Sequence, residues 1–147
     1  MPEPRVLLDT NILISGLVFS GGNEHRILRL AEDGEITLVL PEFVLQETKR
    51  VLAERFAGYE GLLDVFLSKL NYILVHWGEL ETILPRHEGQ VRDEKDIPVL
   101  AAVIASEPDF AVTGDRALRE DLRRCEDVSG TKICSSRQFL AEFLGPA

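Results

Sequence analysis

Cysteine is scarce in this chain of 147 residues, which carries only Cys125 and Cys134. A pair is too few for a disulfide framework, and its spacing fits no CxxC zinc or redox pattern. The two residues therefore read as buried free thiols of a cytoplasmic protein. No apolar run approaches the ~18 residues that a membrane helix needs. The opening Met1-Pro2-Glu3-Pro4-Arg5 lacks the basic segment and apolar stretch of a secretory signal. No GK[ST] follows a glycine-rich turn. Gly21-Gly22 leads instead into Asn23-Glu24, which excludes a phosphate-loop NTPase. Positive charge is in deficit, with 16 Lys and Arg against 25 Asp and Glu, a formal −9. That excludes a sequence-blind polyanion binder, so any action on nucleic acid must run through metal ions or local basic patches. What is present is ordinary globular material, 45% hydrophobic and 28% charged. With no repeat, linker or low-complexity segment, one domain spanning residues 1–147 is expected, long enough to bury its own core.

Strand and helix signals alternate along the chain. Arg5 to Leu8 is a short apolar run ending in Asp9-Thr10-Asn11, a buried parallel strand with polar groups at its carboxyl end. Ile12 to Phe19 is apolar but broken by Gly16 and followed by Gly21 and Gly22, which predicts a short turn and a mobile loop. Asn23 is a plausible cap for a helix through Ile27, Leu28 and Ala31 to near Gly34. Ile36 to Leu40 is a second strand, and Pro41 opens a helix carrying Phe43, Val44, Val51 and Leu52. An amphipathic helix follows over Leu62 to Leu70, then a short strand, Tyr72 to Val75, and a mixed segment, Gly78 to Gln90, expected to be loop. The last third reads as a helix over Ile97 to Ala105 with Pro98 in its first turn and a strand over Phe110 to Thr113. A charged helix over Arg116 to Arg124 and a strand over Thr131 to Cys134 follow, and Ser135 or Ser136 caps a closing helix. This alternation specifies an α/β, three-layer sandwich around a mainly parallel central sheet.

The acids matter because ligands of such folds bind at the carboxyl ends of the strands. Asp9 ends the first strand and Asp115 lies just past Phe110 to Thr113. Asp96 precedes the helix from Ile97, and Asp93 lies one turn earlier. Each alone is also a good helix cap, worth about 1 kcal/mol. Glu47 resists that explanation. At ~100° per residue it falls between Phe43 and Val51 on the apolar arc of its helix, where a carboxylate is costly unless paired or bound to a cation. The competing reading puts it at the arc's edge, reaching water or pairing with Arg50. Several carboxylates at one sheet edge repel strongly, and divalent metal is the usual relief. An all-oxygen set favours Mg²⁺ or Mn²⁺ over zinc. Such ions polarise a phosphoryl oxygen and activate a water, which is the chemistry of phosphodiester hydrolysis.

Four segments carry a resemblance: VLLDTNILISGL from Val6, PEFVLQETKRVL from Pro41, RDEKDIPVLAAVIA from Arg92 and DFAVTGDRAL from Asp109. In order, spacing and context they resemble the PIN (PilT N-terminal) domain family over nearly the whole chain. With the closing SRQFLAEFL they are most similar to its toxin components of toxin–antitoxin systems. The resemblance implies a Mg²⁺- or Mn²⁺-dependent endoribonuclease of the VapC-like kind. Asp9, Glu47, Asp96 and Asp115 match the family's acidic quartet. Asp93 is an extra acid at the rim that holds a second metal in this reading. Asn11 matches the asparagine beside the first acid, bonding the first loop and a metal ligand, and Thr113 does the same for Asp115. The implied partners are an RNA substrate, an antitoxin protein and a second copy in a homodimer, with no membrane.

Rival readings fail on specific residues. A haloacid-dehalogenase-like phosphatase needs an acid two residues after the first Asp, where Asn11 stands, and another four after Asp115, where Arg119 stands. A response-regulator receiver needs paired acids that are absent here. The rival from another class is a metal- or RNA-binding PIN module without useful turnover, separated by cleavage of a short single-stranded RNA compared with Asp9→Asn. His25, His76 and His87 have no metal-ligand spacing and read as surface or packing residues. Trp77 reads as partial core in preference to an RNA stacking platform. Arg116, Arg119 and Arg123 share a helical face beside Asp115. Arg116, nearest the acids, is the candidate phosphate contact.

Overall fold

The computed structural model describes residues 2–145. Its centre is a five-stranded, all-parallel sheet in the order β3-β2-β1-β4-β5. The strands are β1 (Arg5–Leu8), β2 (Thr37–Pro41), β3 (Tyr72–Val75), β4 (Phe110–Val112) and β5 (Lys132–Cys134). β1 is central, with Leu7 in register with Val39 of β2 and Ala111 of β4. Successive side chains leave opposite faces, so Val6 and Leu8 enter one core and Leu7 the other. Both faces are covered, which is why the strands read as unbroken apolar runs.

One face is covered by α1 (Thr10–Val18), α2 (Asn23–Glu32), α3 (Glu42–Arg55), α4 (Leu62–Ser68) and α8 (Ser136–Leu144). Their buried residues, Leu13, Ile27, Leu52, Leu63 and Phe139 among them, pack on Leu8, Leu38 and Leu40. On the other face, α6 (Ile97–Ser106) and α7 (Arg116–Arg124) pack Leu100, Val103, Leu118 and Leu122 on Leu7, Val39, Ala111 and Ile133. The expected three-layer α/β architecture is therefore the observed one. Pro98 sits in the first turn of α6, where its missing N–H goes unneeded, and Ser135 caps α8 by accepting from the Gln138 amide at 3.2 Å.

Three local readings need correction. Thr10–Val18 is a helix, not a turn and loop. Gly16 does not break it. A Cβ there would lie 2.6 Å from Leu28 Cδ1 and 2.9 Å from the Glu24 carbonyl, so the glycine is what lets α2 close on α1. The cap of α2 is Gly22, without a side-chain bond, and Asn23 is already helical. The segment from Gly78 to Gln90 contains ordered turns, with α5 (Trp77–Leu80) followed by a 3₁₀ turn over Leu84–His87. No helix of the described residues is long and apolar enough to cross a membrane.

Candidate active site

Parallel strands deliver their carboxyl ends to one edge, and the helices that follow begin there. Asp9 directly follows β1 and caps α1, its Oδ1 accepting from the Thr10 amide at 2.8 Å. Asp115 follows β4 and caps α7, its Oδ1 accepting from the Leu118 amide at 3.1 Å. Asp93 caps the 3₁₀ turn Glu94–Asp96 through the Lys95 amide at 3.1 Å. Asp96 stands at the start of α6 but makes no side-chain capping bond. Three of the acids thus do serve as caps, and Asp96 does not.

The structure brings these acids into one electrostatic neighbourhood. Burial first, then the negative charges of Asp9, Asp115, Asp93 and Glu47, push the Asp96 carboxyl up to about 6. Burial also raises Asp9, against the opposing hydrogen bonds from Thr113 and Thr10, with Glu47 and Asp115 adding to the rise. Among the described residues, no Lys or Arg forms a salt bridge with Asp9, Asp93, Asp96 or Asp115. The carboxylates do not close to ligating distance on their own. No three of them have oxygens within 4.8 Å of one another among the described residues.

Glu47 is half-exposed rather than on the buried stripe, with Arg50 4.0 Å away. The buried line of α3 runs through Val44, Thr48 and Leu52. Glu47 still faces the acids, because the buried Thr10 hydroxyl donates to its Oε2 at 3.0 Å. Thr113 also differs in its partner. Its hydroxyl donates to Asp9 Oδ2 at 2.7 Å and accepts from the Asp115 amide at 3.2 Å, so it orients Asp9 and the turn carrying Asp115. Asn11 is exposed in the first turn of α1, and no side-chain hydrogen bond ties it to a carboxylate among the described residues. Thr10 is the positioning residue the sequence reading missed. Its place beside Asp9 was the available signal.

The three arginines of α7 divide. Arg119 donates to the Thr113 carbonyl at 2.8 Å and Arg123 to the Ile133 carbonyl at 2.7 Å, so both brace strand ends. Arg116 is exposed next to Asp115 and forms no salt bridge among the described residues. Trp77 is 37% exposed, packs on Phe43 and donates to Gln46 at 3.1 Å, in keeping with partial core. His25 and His76 make local polar contacts, whereas His87 is buried beside Cys125 and Asp127. Cys134 is buried but Cys125 only half-buried.

The donor chemistry of the edge fits a hard divalent cation. It offers carboxylate oxygens, two of the groups raised by burial and like charge, and among the described residues only Glu47 has a cation, Arg50, within salt-bridge distance. An α/β fold with an acid-lined edge at the carboxyl ends of its strands defines a class of candidate metal-dependent sites. The particular family follows from the chain itself: residues 5–117 match the family model of the PIN domain, and the chain belongs to that family. Among solved structures it is similar to VapBC2 from Rickettsia felis, solved bound to a DNA fragment from its promoter. The identity is 20% and the TM-score 0.60, over 89% of this chain and 98% of that one. No curated protein matches the chain.

Proposed function

We propose that this PIN-domain chain is a Mg²⁺- or Mn²⁺-dependent endoribonuclease, the toxin of a type II toxin–antitoxin pair. The observation that carries the reading is the group of mutually repelling carboxylates at the strand ends, of which Asp9, Asp93, Asp96 and Asp115 have no salt-bridge partner among the described residues. Asp9, Glu47, Asp96 and Asp115 would hold the ion, with Asp93 at the rim. A bound divalent ion there supplies charge for a phosphoryl oxygen and lowers the pKa of water.

The chain's own residues do the rest. Thr113 and the Thr10 amide fix the Asp9 carboxylate from two sides, and the Thr10 hydroxyl aims Glu47 toward it. The carboxyl of Asp96 near 6 lets protons compete with a cation, so cation binding releases a proton at this group close to neutral pH. Arg116, exposed beside Asp115, meets an RNA phosphate and sets the strand's register. Water is the nucleophile and the ribose 2′-hydroxyl is a spectator, so the products carry 5′-phosphate and 3′-hydroxyl ends.

The partners in this reading are RNA, an antitoxin protein and a second copy of the chain, met in the cytoplasm as one nuclease domain. The test is cleavage of a short single-stranded RNA with Mn²⁺, with EDTA, and by Asp9→Asn. Cleavage that needs the ion and Asp9 and leaves 5′-phosphate ends is the expected result. A 2′,3′-cyclic phosphate product, or full activity in chelator, overturns the mechanism.

A further inference from the structure

One group of ionisable side chains lies outside the acidic edge, at the far end of α7. A ring nitrogen of His87, Sγ of Cys125 and a carboxylate oxygen of Asp127 all lie within 4.8 Å of one another. Among the described residues they are the single such trio of His, Cys, Asp or Glu. They come from three places: the turn Leu84–His87, the residue that ends α7, and the turn Glu126–Val128. His87 is 8% exposed. Gln90 Oε1 lies 3.0 Å from His87 Nδ1 and accepts from Cys125 Sγ at 3.3 Å. An acceptor at Nδ1 places the ring proton there and leaves the lone pair on Nε2. That Nε2 faces Asp127 Oδ2 at 3.7 Å. With zinc–ligand bonds of about 2.0–2.2 Å, ligand atoms of a tetrahedral site stand roughly 3.4 Å apart, so this pair is near coordinating separation. Cys125, Asp127 and Gln90 also line an open groove of about 310 Å³, which gives an ion and a water access.

We propose that His87, Cys125 and Asp127 bind one Zn²⁺ ion, with water from the groove in the fourth position. The donor set is one nitrogen, one sulfur and one oxygen. It selects a borderline metal such as zinc, where the all-oxygen strand edge selects Mg²⁺ or Mn²⁺. On binding, the Cys125 S–H bond breaks, its proton goes to solvent and the thiolate electron pair goes to the ion. Gln90 keeps its bond to Nδ1–H and holds the imidazole in the ligating orientation. The ion ties the segment that leads to Asp93 and Asp96 to the end of α7 remote from Asp115. Its role is to brace the two elements that deliver three of the acids.

The test is titration of the reduced full-length protein with Co²⁺, followed by displacement with Zn²⁺. One equivalent of Co²⁺ gives a thiolate-to-cobalt charge-transfer band and intense tetrahedral d–d absorption, and Zn²⁺ abolishes both. Cys125→Ser removes the charge-transfer band. Asp127→Asn and Gln90→Ala, at exposed positions, weaken Zn²⁺ binding by about tenfold or more. Asp9→Asn and Cys134→Ala leave the spectrum unchanged, so the outcome does not depend on the nuclease reading. Absence of the thiolate band, its survival in Cys125→Ser, or its loss in Asp9→Asn overturns the proposal.

Discussion

Asp121 and Asp96 belong to neighbouring helices of one layer, and their carboxyl groups are shifted in opposite directions. Asp121, in the middle of α7, has a side chain only 5% exposed. The Arg92 amide donates to its Oδ2 at 2.8 Å, the Arg92 guanidinium lies 3.0 Å from its Oδ1, and Arg124 lies 3.5 Å away. The Arg92 amide first, then its guanidinium and Arg124, hold this carboxyl below the usual range. Asp96, at the start of α6, has acids for neighbours and is raised. Burial raises both carboxyls; at Asp96 the neighbouring acids add to that rise, whereas at Asp121 the Arg92 amide, its guanidinium and Arg124 overcome it. A carboxylate that serves the fold is supplied with cations, and the strand-end acids are left without them. Asp9, Asp93, Asp96 and Asp115 have no salt-bridge partner among the described residues, whereas Asp121 has Arg92 and Arg124.

The sharpest way to break this contrast is Asp96→Asn. Asparagine keeps the shape and removes one of the crowded charges. Cleavage falls by about a hundredfold or more, at or beyond the loss typical of a group that only positions a ligand. The metal-free protein melts no lower than the parent. Initial rates on single-stranded RNA and a melt in EDTA read both effects. An unchanged rate reduces Asp96 to a helix-start residue.

Divalent ions should repair the acidic edge and ignore Asp121. At a hundredfold excess over its Kd, Mn²⁺ adds roughly 2.7 kcal/mol to folding stability. NaCl at matched ionic strength adds less, and Asp96→Asn shrinks the Mn²⁺ effect. Equal melting shifts from the two salts would remove the case for a bound ion. Arg92→Ala tests the other member of the comparison. It strips Asp121 of its closest guanidinium and lowers stability by about 1–3 kcal/mol, alike with and without Mn²⁺. A loss confined to the metal-bound protein would place Arg92 in the site and not in the scaffold.

The smallest effect is on pH dependence. Asp96 has its folded value raised from 3.8 to about 6, so its ionised form opposes folding above that range. The penalty fades as pH falls through 6 toward 3.8, because the folded state then takes up the proton first. In chelator, the melting temperature should therefore carry a contribution that rises as pH falls from about 6 toward 3.8. Asp121 has its value lowered and contributes stability that is lost only below that window. The slope for Asp96→Asn should be flatter than for the parent. Equal slopes would mean that Asp96 is not electrostatically crowded.

The strands were legible because both sheet faces are covered, which turns each into an unbroken apolar run. Asp9, Asp96 and Asp115 were legible because strand ends and helix starts mark one edge. Glu47 was placed on the wrong face by one residue of helical phase. The true buried line passes through Thr48, whose polar side chain hides in the core by donating to the Val44 carbonyl at 2.7 Å. A hydroxyl satisfied by its own helix is invisible to apolar periodicity. Gly16 was misread for a related reason. Glycine in a helix signals either a break or a close neighbour, and Leu28, which decides between them, lies a helix away. The meeting of His87 with Cys125 and Asp127 had no local signature, since no ligand-spacing rule spans a gap that tertiary folding closes.

The placement of β1 at the middle of the sheet carries a consequence for how the chain is made. The first strand to be synthesised is the one that needs partners on both sides, and its register with β4 spans most of the chain. The Thr113 hydroxyl that orients Asp9 lies 104 residues away in sequence. Long-range parallel pairing of this kind forms late and slowly, because loop closure must come before the contacts that reward it. A nascent chain that stops before β4 lacks the β1–β4 ladder, the Thr113 hydroxyl that orients Asp9, and Asp115. Whatever chemistry that edge performs is withheld until β4 and Asp115 have been made.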